Sequence, residues 1–193
     1  MRELALHILD VLENAIEAGA TRIDLTIRED TAQDLVTIEV ADNGRGMDEQ
    51  MVRRISDPFF TTRTTRHVGL GIPLFRAAAR RCNGDLTIAS QPGIGTRLTA
   101  TFQRSHIDRA PLGDMRGTLL AVLLSERRVD IRYQHHVDDR TFAFDTAEMR
   151  AALQGIPLSH PAVREWLEAY LAEGFAELDD RAGPRDRRTA LGG

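Results

Sequence analysis

Apolar residues recur at helical spacing along the first stretch of this chain and at strand spacing along the next two. Leu4, Ile8, Leu12 and Ala15 fall on one face of residues 2–18, and Gly19 supplies a stop. In TRIDLTIRE, residues 21–29, Ile23, Leu25 and Ile27 alternate with polar positions. LVTIEVA, residues 35–41, repeats the alternation, and DNGRGM ends it with two glycines. Residues 48–56 read as a short helix stopped before Pro58, residues 59–70 as a polar, glycine-terminated loop, and IPLFRAAARRC, residues 72–82, as a further helix. After a turn at Asn83-Gly84, DLTIAS and TRLTATF form a hairpin across the glycines of QPGIGT. The order predicts an α/β two-layer sandwich in which three helices cover a mixed sheet of about four strands.

Beyond residue 104 the pattern changes to a smaller α+β extension. A helix is expected over 112–126, a hairpin from VDIRYQHH and TFAFD around Asp138-Asp139, and helices over 145–154 and 159–178. The expected organisation is a domain at 1–104, the extension at 105–178, and a charged, Gly-rich tail at 179–193 with the composition of a disordered segment. His135 and His136 are strand neighbours and point to opposite faces, so they read as one packing and one surface residue, not a metal pair. Trp166, Leu167, Tyr170 and Leu171 form a helical stripe that reads as local core, with part of it available to a partner.

Composition narrows the chemistry. Apolar residues make up 42% of the chain, enough for a core. A net charge of -4 speaks against nucleic acid as a partner. All 25 basic residues are arginine, so no phosphate loop of the GxxxxGK[ST] kind is available. Cys82 is the only cysteine, which excludes an internal disulfide and a cysteine-rich metal site. The opening residues lack the character of a signal peptide and no apolar run is long enough to span a bilayer, so a cytoplasmic protein without membrane contact is expected.

Four segments carry candidate chemistry. On the first helix Glu3, His7, Asp10, Asn14 and Glu17 form a polar stripe, read most simply as the helix's solvated side. An asparagine carboxamide oxygen also suits Mg²⁺, and a carboxylate one turn earlier can orient a water or hydroxyl nucleophile. Asp42, at the end of a strand, can accept from an exocyclic amine such as adenine N6, while glycines admit a flat ring. Gly69-Leu70-Gly71 opens a helix whose free N–H groups suit phosphate, and Thr61, Thr62 and Arg63 supply polar contacts in the preceding loop. Phe59 and Phe60 read as core or loop anchors, and Gly93-Ile-Gly95-Thr96 as a hairpin turn.

In this fixed order ENA, DNGRGM, DPFFTTR, GLGI and PGIGT resemble the N, G1, F, G2 and G3 boxes of the GHKL superfamily of gyrase, chaperone, histidine-kinase and mismatch-repair ATPases. The resemblance covers residues 2–102 and implies a Bergerat-type ATP-binding fold with ATP and Mg²⁺ as cofactors. It implies that Asn14 ligates Mg²⁺, that Asp42 binds the adenine amine, and that Gly44 and Gly46 let the base lie close. It also implies that Gly69 and Gly71 cradle phosphates, with residues 61–70 as lid and Met47, Leu70 and Thr96 around the nucleotide. Where hydrolysing members carry a glutamate four residues before the asparagine, this chain has Asp10, the candidate general base; Glu13 is the second choice.

Ser105-His-Ile-Asp-Arg-Ala-Pro-Leu112 is similar to the phospho-acceptor box SHELRTPL, which makes His106 a candidate acceptor. Its acid, Asp108, stands one position late, a rotation of about 100° on a helix. The layout is similar to stand-alone ATP-binding proteins encoded near bacterial iron hydrogenases. The expected function is ATP hydrolysis or phosphotransfer in a regulatory or accessory role with a protein partner. Alternatives are a serine kinase like the anti-sigma factors, or a non-catalytic ATP sensor.

Overall fold

The structure is a computed structural model describing residues 3–56, 71–125, 127 and 129–179. The first half contains α1 (Leu4–Glu17), β1 (Arg22–Asp30), β2 (Leu35–Asp42), α2 (Glu49–Ser56), α3 (Gly71–Arg81), β3 (Leu86–Gln91) and β4 (Gly95–Gln103). The second contains α4 (Met115–Leu123), β5 (Asp130–Val137), β6 (Arg140–Asp145), α5 (Thr146–Ala152) and α6 (Pro161–Asp179). The loop expected at 59–70 and the tail after Asp179 lie outside the described residues.

One mixed sheet runs β3-β4-β2-β1-β5-β6, six strands where four were expected. The reason is β5, which pairs in parallel with the free side of β1 from Arg22↔Asp130 to Glu29↔Val137 and brings β6 with it. An unpaired β1 would present a row of open N–H and C=O groups. Strand periodicity reports which face is buried and is silent about the neighbour along the hydrogen-bonding direction, so this pairing could not be read from the pattern.

Strands β1, β2, β4 and β5 bury alternate residues on the same face. Ile23, Leu25 and Ile27 of β1 lie in register with Val40 and Ile38 of β2 and with Ile131, Tyr133 and His135 of β5. Leu98, Ala100 and Phe102 extend the row onto β4. The apolar stripe of α1 is buried in this layer, with Leu4, Ile8 and Leu12 at 1% exposure or less. Each such side chain stabilises the fold by roughly 1.5–3 kcal/mol, so the stripe alone outweighs the weak propensity of its β-branched members for helix. His135 faces this core, with Nε2 3.3 Å from Glu29 and Nδ1 3.2 Å from the Tyr133 hydroxyl, while His136 turns to the other face, as the strand alternation requires. Among the described residues no helix is long and apolar enough to cross a membrane.

The polar stripe of α1 is not simply solvated. Helix α3 lies antiparallel across it, bringing His7 against Phe75 and Asp10 against Gly71. The imidazole of His7 is buried and stacked on Phe75, with centroids 4.9 Å apart and 7° between the planes, and its Nδ1 has no hydrogen-bond partner. Burial lowers its pKa from 6.5 to about 4. As pH falls through 6.5 the unfolded chain takes up a proton that the folded chain refuses until about 4, so stability is lost across that window. Urea denaturation between pH 7 and 4 should show this slope, and His7→Leu should remove roughly 2–3 kcal/mol of it.

Candidate functional site

The C-terminal end of β2, the N-terminal end of β4 and the last turns of α1 enclose a cavity of about 410 Å³. Its walls are mostly apolar: Val11 and Ala15 of α1, Val40, Leu98 and Ile88 of the sheet, Met51 and Ile55 of α2, and Ile72 of α3. Asn14, Asp42 and Thr96 supply polar groups, with Glu17, Arg45 and Asp48 also lining the space. An apolar cleft of this size with a few convergent polar groups is the usual form of a small-molecule site.

Register places the acid. Ile23↔Asp42 and Asp42↔Thr96 put both polar side chains on the helix-facing side, where their strands run out of apolar residues. Burial raises the pKa of Asp42, and backbone N–H groups of Gly44 and Thr96 pull it back down. The Gly44 N–H donates to Oδ1 at 2.8 Å. Beside it the Met47 N–H donates to Ser90 Oγ (2.8 Å), which bonds Thr96 Oγ1 (2.9 Å) and donates to the Gly95 carbonyl (3.0 Å).

The loop after Asp42 is sewn to its surroundings. Asn43 Oδ1 accepts from the backbone N–H of Thr21 and of Arg22, both at 2.9 Å, while its Nδ2 donates to Thr21 Oγ1. The Arg45 N–H donates to the Ala18 carbonyl at the end of α1, and the Gly93 N–H donates to the Arg45 carbonyl. Asp48 Oδ1 then accepts from the Met51 N–H, capping α2. Gly46 takes φ +65 with the Gln91 carbonyl where a Cβ would stand, and Gly95 takes φ +134 with the Asp42 carbonyl in that place. These two glycines therefore let the loop and the β3–β4 hairpin touch backbone to backbone. Gly44 sits against the Asp42 carboxylate and Ala18, so it serves the acid's position as much as any ligand.

The structure brings Asn14, Asp42, Gly46, Met47 and Thr96 to one cavity from elements far apart in sequence. Among the described residues the Asn14 carboxamide engages no hydrogen-bond partner. Asp10 lies one turn earlier, not on the cavity wall but against the first residue of α3, 2.9 Å from where a Gly71 Cβ would be. Burial raises its pKa. Glu13 is exposed and lines no part of the cavity. Thr61, Thr62, Arg63, Gly69 and Leu70 lie outside the described residues, as do Phe59 and Phe60.

His106 is not brought to the site. Residues 104–108 form turns where a helix would be needed, and His106 Nδ1 accepts from the Asp108 N–H at 3.2 Å. The Ser105 hydroxyl and N–H are held by Asp34, which precedes β2, whereas Asp42 ends it. The length of β2, about 25 Å, thus lies between Asp34, which holds Ser105, and Asp42 at the cavity.

Sequence reasoning missed Glu17, Arg45, Asp48, Met51, Ile55, Ile72, Ile88 and Pro92 as wall residues. Met51 and Ile55 were legible, since they stand four apart on the short α2.

This is the architecture of an ATP-binding two-layer sandwich, with an acid at a strand end, an asparagine on the covering helix and a glycine-headed helix beside it. Residues 2–106 match the family of histidine kinase-, DNA gyrase B- and HSP90-like ATPases, and the chain belongs to it. Among curated relatives, the signal transduction histidine-protein kinase AtoS of Escherichia coli (strain K12) is 37% identical over 103 residues, 51% of this chain and 16% of AtoS. The sensor protein kinase FleS of Pseudomonas aeruginosa is 40% identical over 105 residues, 54% of this chain and 25% of FleS. The chain thus spans a quarter or less of either kinase. A crystal structure of the N-terminal domain of a DNA repair protein superposes with a TM-score of 0.51 at 11% identity, covering 74% of this chain and 52% of that one. That likeness concerns the fold, and it reaches beyond residues 2–106.

The two hairpin glycines should behave differently. Gly95→Ala places a methyl on the Asp42 carbonyl at an unfavourable φ and should cost about 3 kcal/mol or more, with the cavity disrupted. Gly93→Ala, at φ +76 with open space around it, should cost only about 1 kcal/mol. Chemical denaturation of the two variants compares them directly.

Proposed function

We propose that the chain binds ATP with Mg²⁺ in this cavity and uses Asp10 as general base for slow hydrolysis or for phosphoryl transfer to a partner protein. The observation that carries the reading is the convergence of Asn14 and Asp42 on one apolar cavity. In this reading Asp42 accepts from the adenine amine, held in place by the Gly44 and Thr96 N–H groups, and the apolar walls take the ring faces. The unpartnered carboxamide of Asn14 offers the hard oxygen that Mg²⁺ prefers. Among the described residues there is no cluster of three His, Cys, Asp or Glu side chains, so the ion would take its remaining ligands from phosphate and water. Bound Mg²⁺ would neutralise phosphate charge.

Asp10 stands where α1 meets the N-terminus of α3, a place suited to anionic phosphate. Burial makes its carboxylate a stronger base than an exposed aspartate, in keeping with a proton-accepting role. Gly69, Leu70, Thr61, Thr62 and Arg63 complete the phosphate side in this reading. Transfer to a serine of a partner, as in anti-sigma-factor kinases, uses the same carboxylate. One observation favours the non-catalytic sensor instead: Asp10 is absent from the cavity wall and abuts Gly71. The accessory setting, including a link to iron hydrogenases, rests on the layout resemblance.

Titration with ATP, with and without Mg²⁺, tests the assignment. Asp42→Asn should weaken ATP binding by about 10–100-fold, the range of a lost hydrogen bond to a charged group. Asn14→Ala should abolish the gain in affinity that Mg²⁺ brings. With labelled ATP, Asp10→Asn should remove phosphate release or transfer while binding persists, and Glu13→Gln should leave both intact. Unchanged ATP affinity in Asp42→Asn would overturn the adenine contact; tight binding with no product in the parent protein would establish the sensor.

A further inference from the structure

A second concave surface lies on the other half of the molecule, between α5 and α6. Met149, Ala152 and Leu153 form one wall, and Ala162, Val163 and Trp166 the other, around about 460 Å³. It shares no residue with the nucleotide cavity. Helix α6 splits its apolar stripe here. Leu167 and Leu171 are fully buried in the main core, whereas Trp166 is 48% exposed and stacks on Tyr170 with centroids 5.3 Å apart and 17° between planes. Val163, which lines the groove, is buried yet lies outside that core cluster, so the groove has an apolar floor of its own. A stacked indole held open to water over an apolar floor has the form of a binding anchor.

Charge decides the occupant. The cations of these two helices are already engaged, Arg150 by Asp130 and Arg164 by Glu168. Among the described residues, the charges of these two helices left without an ion pair are all acidic: Glu148, next in sequence to Met149, Glu165, next to Trp166, and Glu173, Glu177 and Asp179 further along α6. A twofold contact between two copies would set these carboxylates against themselves, a repulsive arrangement. An anionic membrane surface would be repelled in the same way. We infer that the α5–α6 groove docks a short amphipathic helix of a partner protein, with aliphatic anchors over Trp166 and Val163 and Arg or Lys on its flanks. This inference does not depend on the nucleotide reading.

Trp166 is the only tryptophan, so its emission reports the groove directly. The probes are two labelled synthetic helical peptides with the same leucine anchors, one flanked by lysine and one by glutamate. The lysine peptide should shift Trp166 emission and raise its own anisotropy on binding, weakening as salt rises, and the glutamate peptide should do neither. Trp166→Ala should lower the lysine peptide's affinity about tenfold or more by anisotropy. Glu165→Lys, at an exposed position that leaves the fold intact, should weaken the lysine peptide and admit the glutamate peptide. Equal binding of both peptides, no binding of either, or a concentration-dependent dimer broken by Val163→Glu would each overturn the inference.

Discussion

The cavity at Asp42 exists because two stretches of backbone touch where no side chain can fit. Gly46 meets the Gln91 carbonyl and Gly95 meets the Asp42 carbonyl, so the loop after β2 and the hairpin between β3 and β4 close on one another. Asn43 ties the same loop to the start of β1, and Arg45 ties it to the end of α1. The carboxylate of Asp42 is held by the backbone N–H groups of Gly44 and Thr96, an arrangement that leaves its charge available at an apolar wall. In such surroundings a single well-placed acceptor discriminates strongly, because water competes poorly and an unpaired partner is costly.

Helix α1 serves the core and the site at once. Its apolar stripe anchors it to the sheet, and the opposite side meets α3, so residues that would otherwise be solvated acquire tasks by depth along the helix. His7 becomes a neutral packing ring, Asp10 a desolvated carboxylate at the head of α3, and Asn14 a free carboxamide on the cavity wall. One helical turn separates each from the next. Rigid spacing on a single element fixes their relative positions better than loops would.

The second half of the chain completes the sheet without entering the cavity. By pairing with β1, strand β5 turns an edge into an interior position; α6 packs on β6, α5 on β5, and α4 bridges α1 and α6. The aromatic cluster of Tyr133, Phe142, Phe144 and Phe175 anchors this end of the layer. What remains outside that cluster is the groove at Trp166, a surface with its own floor and its own charge.

Much was legible in the sequence because it depends on local period. Helix and strand boundaries followed from spacing of three to four or of two, and the boxes around Asn14, Asp42 and Gly95 followed from residue types that few other arrangements require. The opposite faces of His135 and His136 followed from the pleat alone. Tertiary structure decided what period cannot encode: that β5 lies beside β1, that α3 buries His7, and that the turns around His106 sit at the far end of β2. Hydrogen bonding between strands and packing between helices join residues distant along the chain, and only the folded chain selects which surfaces meet.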